Sequence, residues 1–302
     1  MRNPSFLKPK DRIGIVATAR KISLAEIQPA MDKFNEWGLE VVLGENLFHE
    51  DHQYSGMDAE RISDLQKMLD DDSISAIVIA RGGYGTVRII DHLNFDKFIK
   101  NPKWIVGYSD VTVLHSHIHQ NFNIQTLHAT MPLNFPADGK DNNALHSLKK
   151  ALFGEVLEYT VKPHTLNRRG KASGILNGGN LSLLFALNGT PSDISTEGKI
   201  LFIEDLDEYL YHIDRMMMNL KRSGKLSHLK ALIVGGMTEM RDNTIPFGKE
   251  ANEIIAEAVS EYDYPVLFDF PAGHIEDNRA LILGGECEIK VSKELSTVRF
   301  IK

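Results

Sequence analysis

Residues 103–120 read KWIVGYSDVTVLHSHIHQ. An apolar run from Trp104 to Val106 meets Gly107-Tyr108-Ser109-Asp110, and an apolar-periodic segment starts at once. A serine where a strand turns sharply into a helix is exposed at the carboxyl edge of its sheet. The unpaired N–H groups and dipole of that helix favour a developing oxyanion there. This is how a nucleophile elbow works. The pattern departs from G-x-S-x-G, because Val111 stands where the second glycine would be. A helix cap by Ser109 or Asp110 accounts for the same residues, and from this stretch alone the cap is favoured.

Other stretches carry comparable chemistry. Arg81-Gly82-Gly83-Tyr84-Gly85 follows the apolar run AIVIA and precedes a helical pattern. Its glycines let the backbone approach a ligand and present N–H groups, or they make a tight turn. As a dinucleotide fingerprint it lacks the third glycine, since Arg88 occupies that place, and no Walker sequence occurs. His115, His117 and His119, with His128 beyond, allow a zinc site, but there is no H-E-x-x-H; surface or half-buried histidines are the plainer account. Glu204 ends the apolar run LFI and is followed by Asp205, Asp207 and Glu208. Such a group can orient a histidine, or form an acidic turn before the next helix. His274, in PAGHIEDN, has the most loop-like setting of the twelve histidines.

The elements that must position these groups follow from the apolar pattern. Strand-like runs cover 12–18, 39–44, 76–81, 103–109 and 124–130, and helical patterns lie between them. The first helical segment, near 24–37, opens on a capping box at Ser23 and Glu26. Pro29 requires either a kink or a start near Pro29. This β-α alternation predicts an α/β fold with a parallel sheet covered on both faces. Ligands of such sheets bind beyond the strands' carboxyl ends, here Thr18-Ala19, RGGYG and GYSD. Prolines and polar residues between about 132 and 172 predict a connector. The expected division is residues 1–135, a connector at 136–172, and residues 173–302 with mixed strands and helices and a more antiparallel end. Met216-Met217-Met218 are expected to face the core or a domain contact.

Composition narrows the classes. The 302 residues are 42% apolar and 25% charged, as in globular proteins. Acidic residues outnumber basic ones, 41 to 34, for a formal charge of -7. Scattered Lys and Arg argue against nucleic-acid partners. No apolar run of spanning length occurs, and Pro9, Lys10, Asp11 and Arg12 interrupt any leader-like start. The single Cys287 cannot form an internal disulfide. A cytoplasmic location fits these features.

Taken together the stretches resemble the LD-carboxypeptidase family of serine peptidases, which includes the microcin-C-immunity enzymes. The resemblance runs from RIGIVATA through RGGYG, GYSD, GILNGGNLSLL, LFIEDLDEYLYHIDRM and PAGH to RALILGG. It implies a Rossmann-like N-terminal domain carrying the nucleophile and a smaller mixed α/β C-terminal domain carrying acid and base. The matching residues are Ser109 as nucleophile, Glu204 as acid and His274 as base. The oxyanion donors match the backbone N–H groups of Gly83 and Asp110. The implied reaction releases terminal D-alanine from a murein tetrapeptide across an L,D-peptide bond during peptidoglycan recycling. No metal or cofactor is implied, and family members are usually dimers. A cation should receive the substrate's terminal carboxylate; Arg81 and Arg88 are candidates, and Tyr84 is a further candidate for substrate binding.

The chain also departs from the family. The usual proline-serine pair after the first strand reads Ala17-Thr18-Ala19-Arg20, and no tryptophan lies between about 155 and 175. The second departure leans toward the peptidoglycan-processing branch. Three rivals stand beside it: an immunity-type hydrolase of peptidyl-nucleotide antibiotics, a non-catalytic two-domain peptide binder, and a nucleotide-dependent enzyme.

Overall fold

The structure, a computed structural model, describes residues 1–301. The first half contains strands β1 (Arg12–Val16), β2 (Glu40–Leu43), β3 (Ile74–Ile79), β4 (Trp104–Gly107) and β5 (Thr126–His128). Helices α1 (Leu24–Glu36), α2 (Asp58–Asp70), α3 (Thr86–Ile89), α4 (Asp96–Lys100) and α5 (Thr112–Phe122) alternate with them. The strands pair in parallel in the order β5-β4-β3-β1-β2. Residues 76–79 of β3 and all four of β4 are buried, as expected for strands covered on both faces. Each Ile or Val removed from water there contributes roughly 1.5–3 kcal/mol.

Helix α1 begins at Leu24 and keeps Pro29 inside it, which rules out the second of the two alternatives, a start near Pro29. The reason is local. Ser23 Oγ accepts from the Glu26 N–H while Glu26 accepts from the Ser23 N–H, which fixes the first turn. Proline forfeits one donor of the helix ladder, and Ile27, Ala30 and Phe34 pack into the core beside it.

The second half contains α6 (Asn143–Leu152), β6 (Glu158–Val161), β7 (Gly170–Asn180), α7 (Leu181–Leu187), β8 (Ile200–Leu206), α8 (Leu210–Arg222) and β9 (Ala231–Thr238). It continues with α9 (Ala251–Ala258), β10 (Val266–Leu267), β11 (Leu281–Leu283), β12 (Glu286–Val291) and β13 (Ser296–Phe300). Seven strands form a sheet in the order β10-β9-β8-β7-β12-β13-β6. Its β7 to β10 side is parallel and its β12, β13, β6 side antiparallel. The long β7 joins the two patterns, pairing antiparallel with β12 over residues 170–175 and parallel with β8 over 176–180. Gly178 lies against the Phe202 carbonyl, where a Cβ would sit 1.9 Å from the oxygen, and its φ is +123°. The stretch expected as a connector at 136–172 holds α6, β6 and the start of β7.

Two features tie the halves together. Strand β11, far along the chain, pairs antiparallel with β5 and completes the edge of the first sheet. The Asn180 N–H donates to Thr112 Oγ1 (3.0 Å), and a Cβ at Gly179 would meet that threonine at 2.6 Å. On α8 the buried residues Leu210, Ile213, Met216, Met217 and Leu220 form one stripe. Met218 falls outside that stripe and is exposed, which corrects the expectation for the methionine triplet.

Candidate active site

Strand β4 ends at Gly107, and Ser109 opens a short 3₁₀ turn that leads into α5. Ser109 has φ +63°, the left-handed region that a non-glycine residue enters at some cost. Its hydroxyl caps neither the turn nor α5. Instead Oγ lies 3.0 Å from His274 Nε2. The cap reading therefore fails for Ser109, and the strained turn presents the hydroxyl across the interface to the second half.

His274 is held by Glu204, at the buried end of β8. Glu204 Oε2 accepts from His274 Nδ1 at 2.6 Å and from the His274 backbone N–H at 3.2 Å. The close approach depends on Gly273, whose φ is +104°. A Cβ there would sit 2.7 Å from Glu204 Cβ and Oε2. The Gly273 N–H donates to Asn278 Oδ1 (2.9 Å), and Thr238 Oγ1 donates to the His274 carbonyl (3.0 Å). The Tyr108 ring stands edge-on to the imidazole at 4.9 Å. Glu204 is fully buried and the His274 side chain is 13% exposed. Burial opposes the imidazolium, but the charge and hydrogen bond of Glu204, with Asp205 and Glu239, carry His274 above its ordinary pKa.

The RGGYG loop packs against the serine. A Cβ at Gly82 would lie 2.9 Å from Ser109 Cβ and 3.0 Å from its Oγ. Gly83 has φ +127° and its N–H has no protein acceptor among the described residues. The Asp110 N–H lies in the first turn of a helical segment, where N–H groups lack intrahelical partners. The Asp110 carboxylate has a task the sequence did not reveal: Oδ2 accepts from the Thr86 N–H at 2.8 Å. It thereby anchors the helix after RGGYG to the serine turn. Thr86 Oγ1 in turn donates to Thr18 Oγ1 (2.7 Å), tying in the loop after β1.

Both halves line an open cleft over Ser109 and His274. Arg20, Arg81 and Tyr84 come from the first half, and Asp205, Asp207 and Glu208 from the second. Tyr84 is half exposed at the rim. Arg88 is not among the lining residues. Asp58 holds its guanidinium with two oxygens, so the expectation that Arg88 meets substrate is corrected. Arg20 was not singled out by the sequence reading, although its place after β1 at the sheet's carboxyl edge was a usable signal. Asp205 accepts from Asn180 Nδ2 (2.9 Å) and Ser182 Oγ (2.7 Å), and burial with the adjacent Glu204 charge pushes it up to about 6.

The histidine cluster is structural. His115 Nε2 donates to the Gly107 carbonyl (2.9 Å), and burial pushes its pKa down to about 4. His119 Nε2 shares a hydrogen bond with Thr126 Oγ1 (2.9 Å), and His117 Nδ1 with Ser192 Oγ (2.9 Å). His128 is buried against Tyr108 and Phe202. Among the described residues no group of three or more His, Cys, Asp or Glu side chains is arranged to hold a metal. Cys287 is buried, which pushes its thiol up to about 12 and leaves it poorly nucleophilic.

Comparison with known proteins places the chain in a family. Residues 13–129 match the LD-carboxypeptidase N-terminal domain and residues 173–289 the LD-carboxypeptidase C-terminal domain. The chain is 35% identical over 306 residues to a probable murein peptide carboxypeptidase of Bacillus subtilis (strain 168), covering 98% of this chain and 93% of that one. The structure resembles that of muramoyltetrapeptide carboxypeptidase from Oxalobacter formigenes, with a TM-score of 0.87 and 25% identity over 96% of this chain and 99% of that one. The microcin C7 self-immunity protein MccF, in complex with aspartyl sulfamoyl adenosine, shares the fold (TM-score 0.88, 21% identity, 99% and 98% covered). A two-domain α/β architecture with these matches defines a serine-type peptidase. The chain belongs to the LD-carboxypeptidase family.

Proposed function

We propose that this protein is a serine carboxypeptidase that cleaves the L,D-peptide bond before the terminal D-alanine of murein tetrapeptides. The observation that carries the proposal is the continuous relay Ser109 Oγ, His274 Nε2, His274 Nδ1, Glu204 Oε2, with links of 3.0 and 2.6 Å, at the floor of a cleft. His274 Nε2 takes the hydroxyl proton as Ser109 Oγ attacks the scissile carbonyl. Glu204 holds the imidazole in the tautomer that leaves Nε2 free, and stabilises the imidazolium that forms. The N–H groups of Gly83 and Asp110 receive the oxyanion, and removing one such donor typically costs about 3–4 kcal/mol. His274 then passes the proton to the departing D-alanine nitrogen. Water, deprotonated by the same imidazole, opens the acyl ester, and the proton returns to Ser109.

Residues 1–135 form the nucleophile-bearing unit, 136–172 the connection and 173–302 the unit with acid and base, a division supported by the family-model boundaries. Arg81 and Tyr84 contribute to the substrate-binding wall. The protein works in the cytoplasm as a homodimer on small peptides and has no nucleic-acid partner. The names of the Bacillus and Oxalobacter proteins support the murein substrate.

Mass spectrometry of murein tetrapeptide incubated with the protein tests the proposal. Wild type should yield tripeptide and D-alanine, and Ser109→Ala, folded by thermal melting, should fall to background. Full activity in that variant refutes the assignment. Faster turnover of an aminoacyl sulfamoyl nucleotide than of the tetrapeptide transfers the function to the immunity-type reaction.

A further inference from the structure

We propose that Arg20 is the specificity-determining residue that receives the carboxylate at the substrate's C-terminus and so restricts the enzyme to terminal residues. The inference rests on the peptidase reading above and adds to it the residue that selects a free carboxylate.

Of the four arginines in or near the cleft, three are already engaged, Arg241 by both oxygens of Asp207. Arg88 is bound by Asp58. Arg81 Nη1 donates to the Lys21 carbonyl at 3.1 Å and lies 3.9 Å from Glu26 Oε1. Arg20 lines the cleft, and its side chain makes neither an ion pair nor a hydrogen bond among the described residues. Its position is set by the RGGYG loop. The stem lies across Gly83, so that a Cβ on that glycine would sit 2.5 Å from Arg20 Cγ, 2.8 Å from Cδ and 3.1 Å from Nε. The glycine whose N–H is assigned to the oxyanion therefore also seats the guanidinium.

That placement matches the geometry of the scissile bond. The carboxyl carbon of the last residue lies one residue beyond the attacked carbonyl, at most ~3.6 Å away in an extended chain. With the carbonyl oxygen turned toward Gly83, a carboxylate on the leaving residue falls within reach of an arginine draped over the same glycine. The second half's side of the cleft favours the same polarity. It carries Glu208 and the Asp207–Arg241 ion pair, with Asp205 buried behind them on Asn180 and Ser182. Those carboxylates repel a terminal carboxylate and suit a cationic substituent farther back in the peptide. A planar guanidinium binds a carboxylate through two parallel hydrogen bonds, which gives orientation as well as attraction.

The test compares two substrates on the same preparation: a murein tetrapeptide with free terminal D-alanine, and the same peptide ending in D-alaninamide. Wild type should prefer the acid in kcat/KM by about 10- to 100-fold, the worth of a charge-assisted hydrogen bond. In Arg20→Met the ratio should collapse to within about threefold, chiefly through KM for the acid, while Arg20→Lys retains part of it and Arg81→Met keeps most of it. Arg20 is exposed and its side chain has no hydrogen bond to lose among the described residues, and equal melting of the variants checks the fold. An unchanged ratio in Arg20→Met, or its collapse in Arg81→Met instead, overturns the assignment and leaves the peptidase reading intact. Failure of wild type to cleave either peptide removes the peptidase reading and this assignment with it.

Discussion

Glu204→Gln isolates the charge behind the base. Glutamine keeps the size of the side chain and an oxygen for His274 Nδ1, and removes the negative charge. Two estimates of the effect agree. Oε2 stands 2.6 Å from Nδ1; two unit charges at that separation and an effective dielectric of ~20 interact by roughly 6 kcal/mol. That is on the order of 10⁴-fold in the step that creates the imidazolium. In Ser-His-Asp triads the same carboxylate-to-amide change also costs on the order of 10⁴ in kcat, there by admitting the wrong imidazole tautomer. Stability should change less. Glu204 Oε1 has no partner among the described residues, so the new amide N–H₂ is left unpaired, at about 1–3 kcal/mol, and relief of a buried charge offsets part of this.

The pH profile separates charge from geometry. In wild type His274 must be neutral to act, and its pKa is raised, so the acid limb of kcat/KM lies above the ordinary histidine value of 6.5. The largest raising influence is the Glu204 charge. Its removal should move the limb to lower pH while the plateau falls. Folding is linked to the same shift. A raised imidazole pKa stabilises the folded state below 6.5, and that increment fades as pH rises through the folded value. Glu204→Gln should therefore lose more stability at mildly acidic than at alkaline pH. Steady-state kinetics across pH, with melting curves at each point, provide the assay. A plateau loss under tenfold, or an acid limb that stays in place, refutes the reasoning.

Two further outcomes are expected. Asp110→Ala leaves the Thr86 N–H without its acceptor and frees the RGGYG loop from the serine turn; kcat should drop by about 10- to 100-fold with less change in KM, and Asp110→Asn, which keeps an acceptor oxygen, should recover most of it. Gly178→Ala places a Cβ 1.9 Å from the Phe202 carbonyl oxygen at φ +123°; thermal melting should show a loss above about 3 kcal/mol, and a loss under about 1 kcal/mol contradicts the packing of β7 on β8.

Apolar patterning alone specifies the alternating architecture of the first half. Apolar runs of a few residues between amphipathic segments can bury themselves only as a parallel sheet between helices. The sequence also marked where Ser109 and Glu204 follow apolar strand runs and placed His274 in a loop after one, because the apolar pattern breaks before each. Taken residue by residue it did not choose between a capping serine and a nucleophile, since both need a small polar side chain at a helix start. Tertiary structure decided that question. Ser109 and His274 are 165 positions apart, and their meeting depends on β11 returning to the first sheet, on Asn180 bonding Thr112, and on Gly273 admitting Glu204. The roles of Arg20 and the Asp110 carboxylate were hidden for the same reason. Whether a charge is free, paired or bent back onto another loop is a fact about neighbours in space, and local residue types do not encode it.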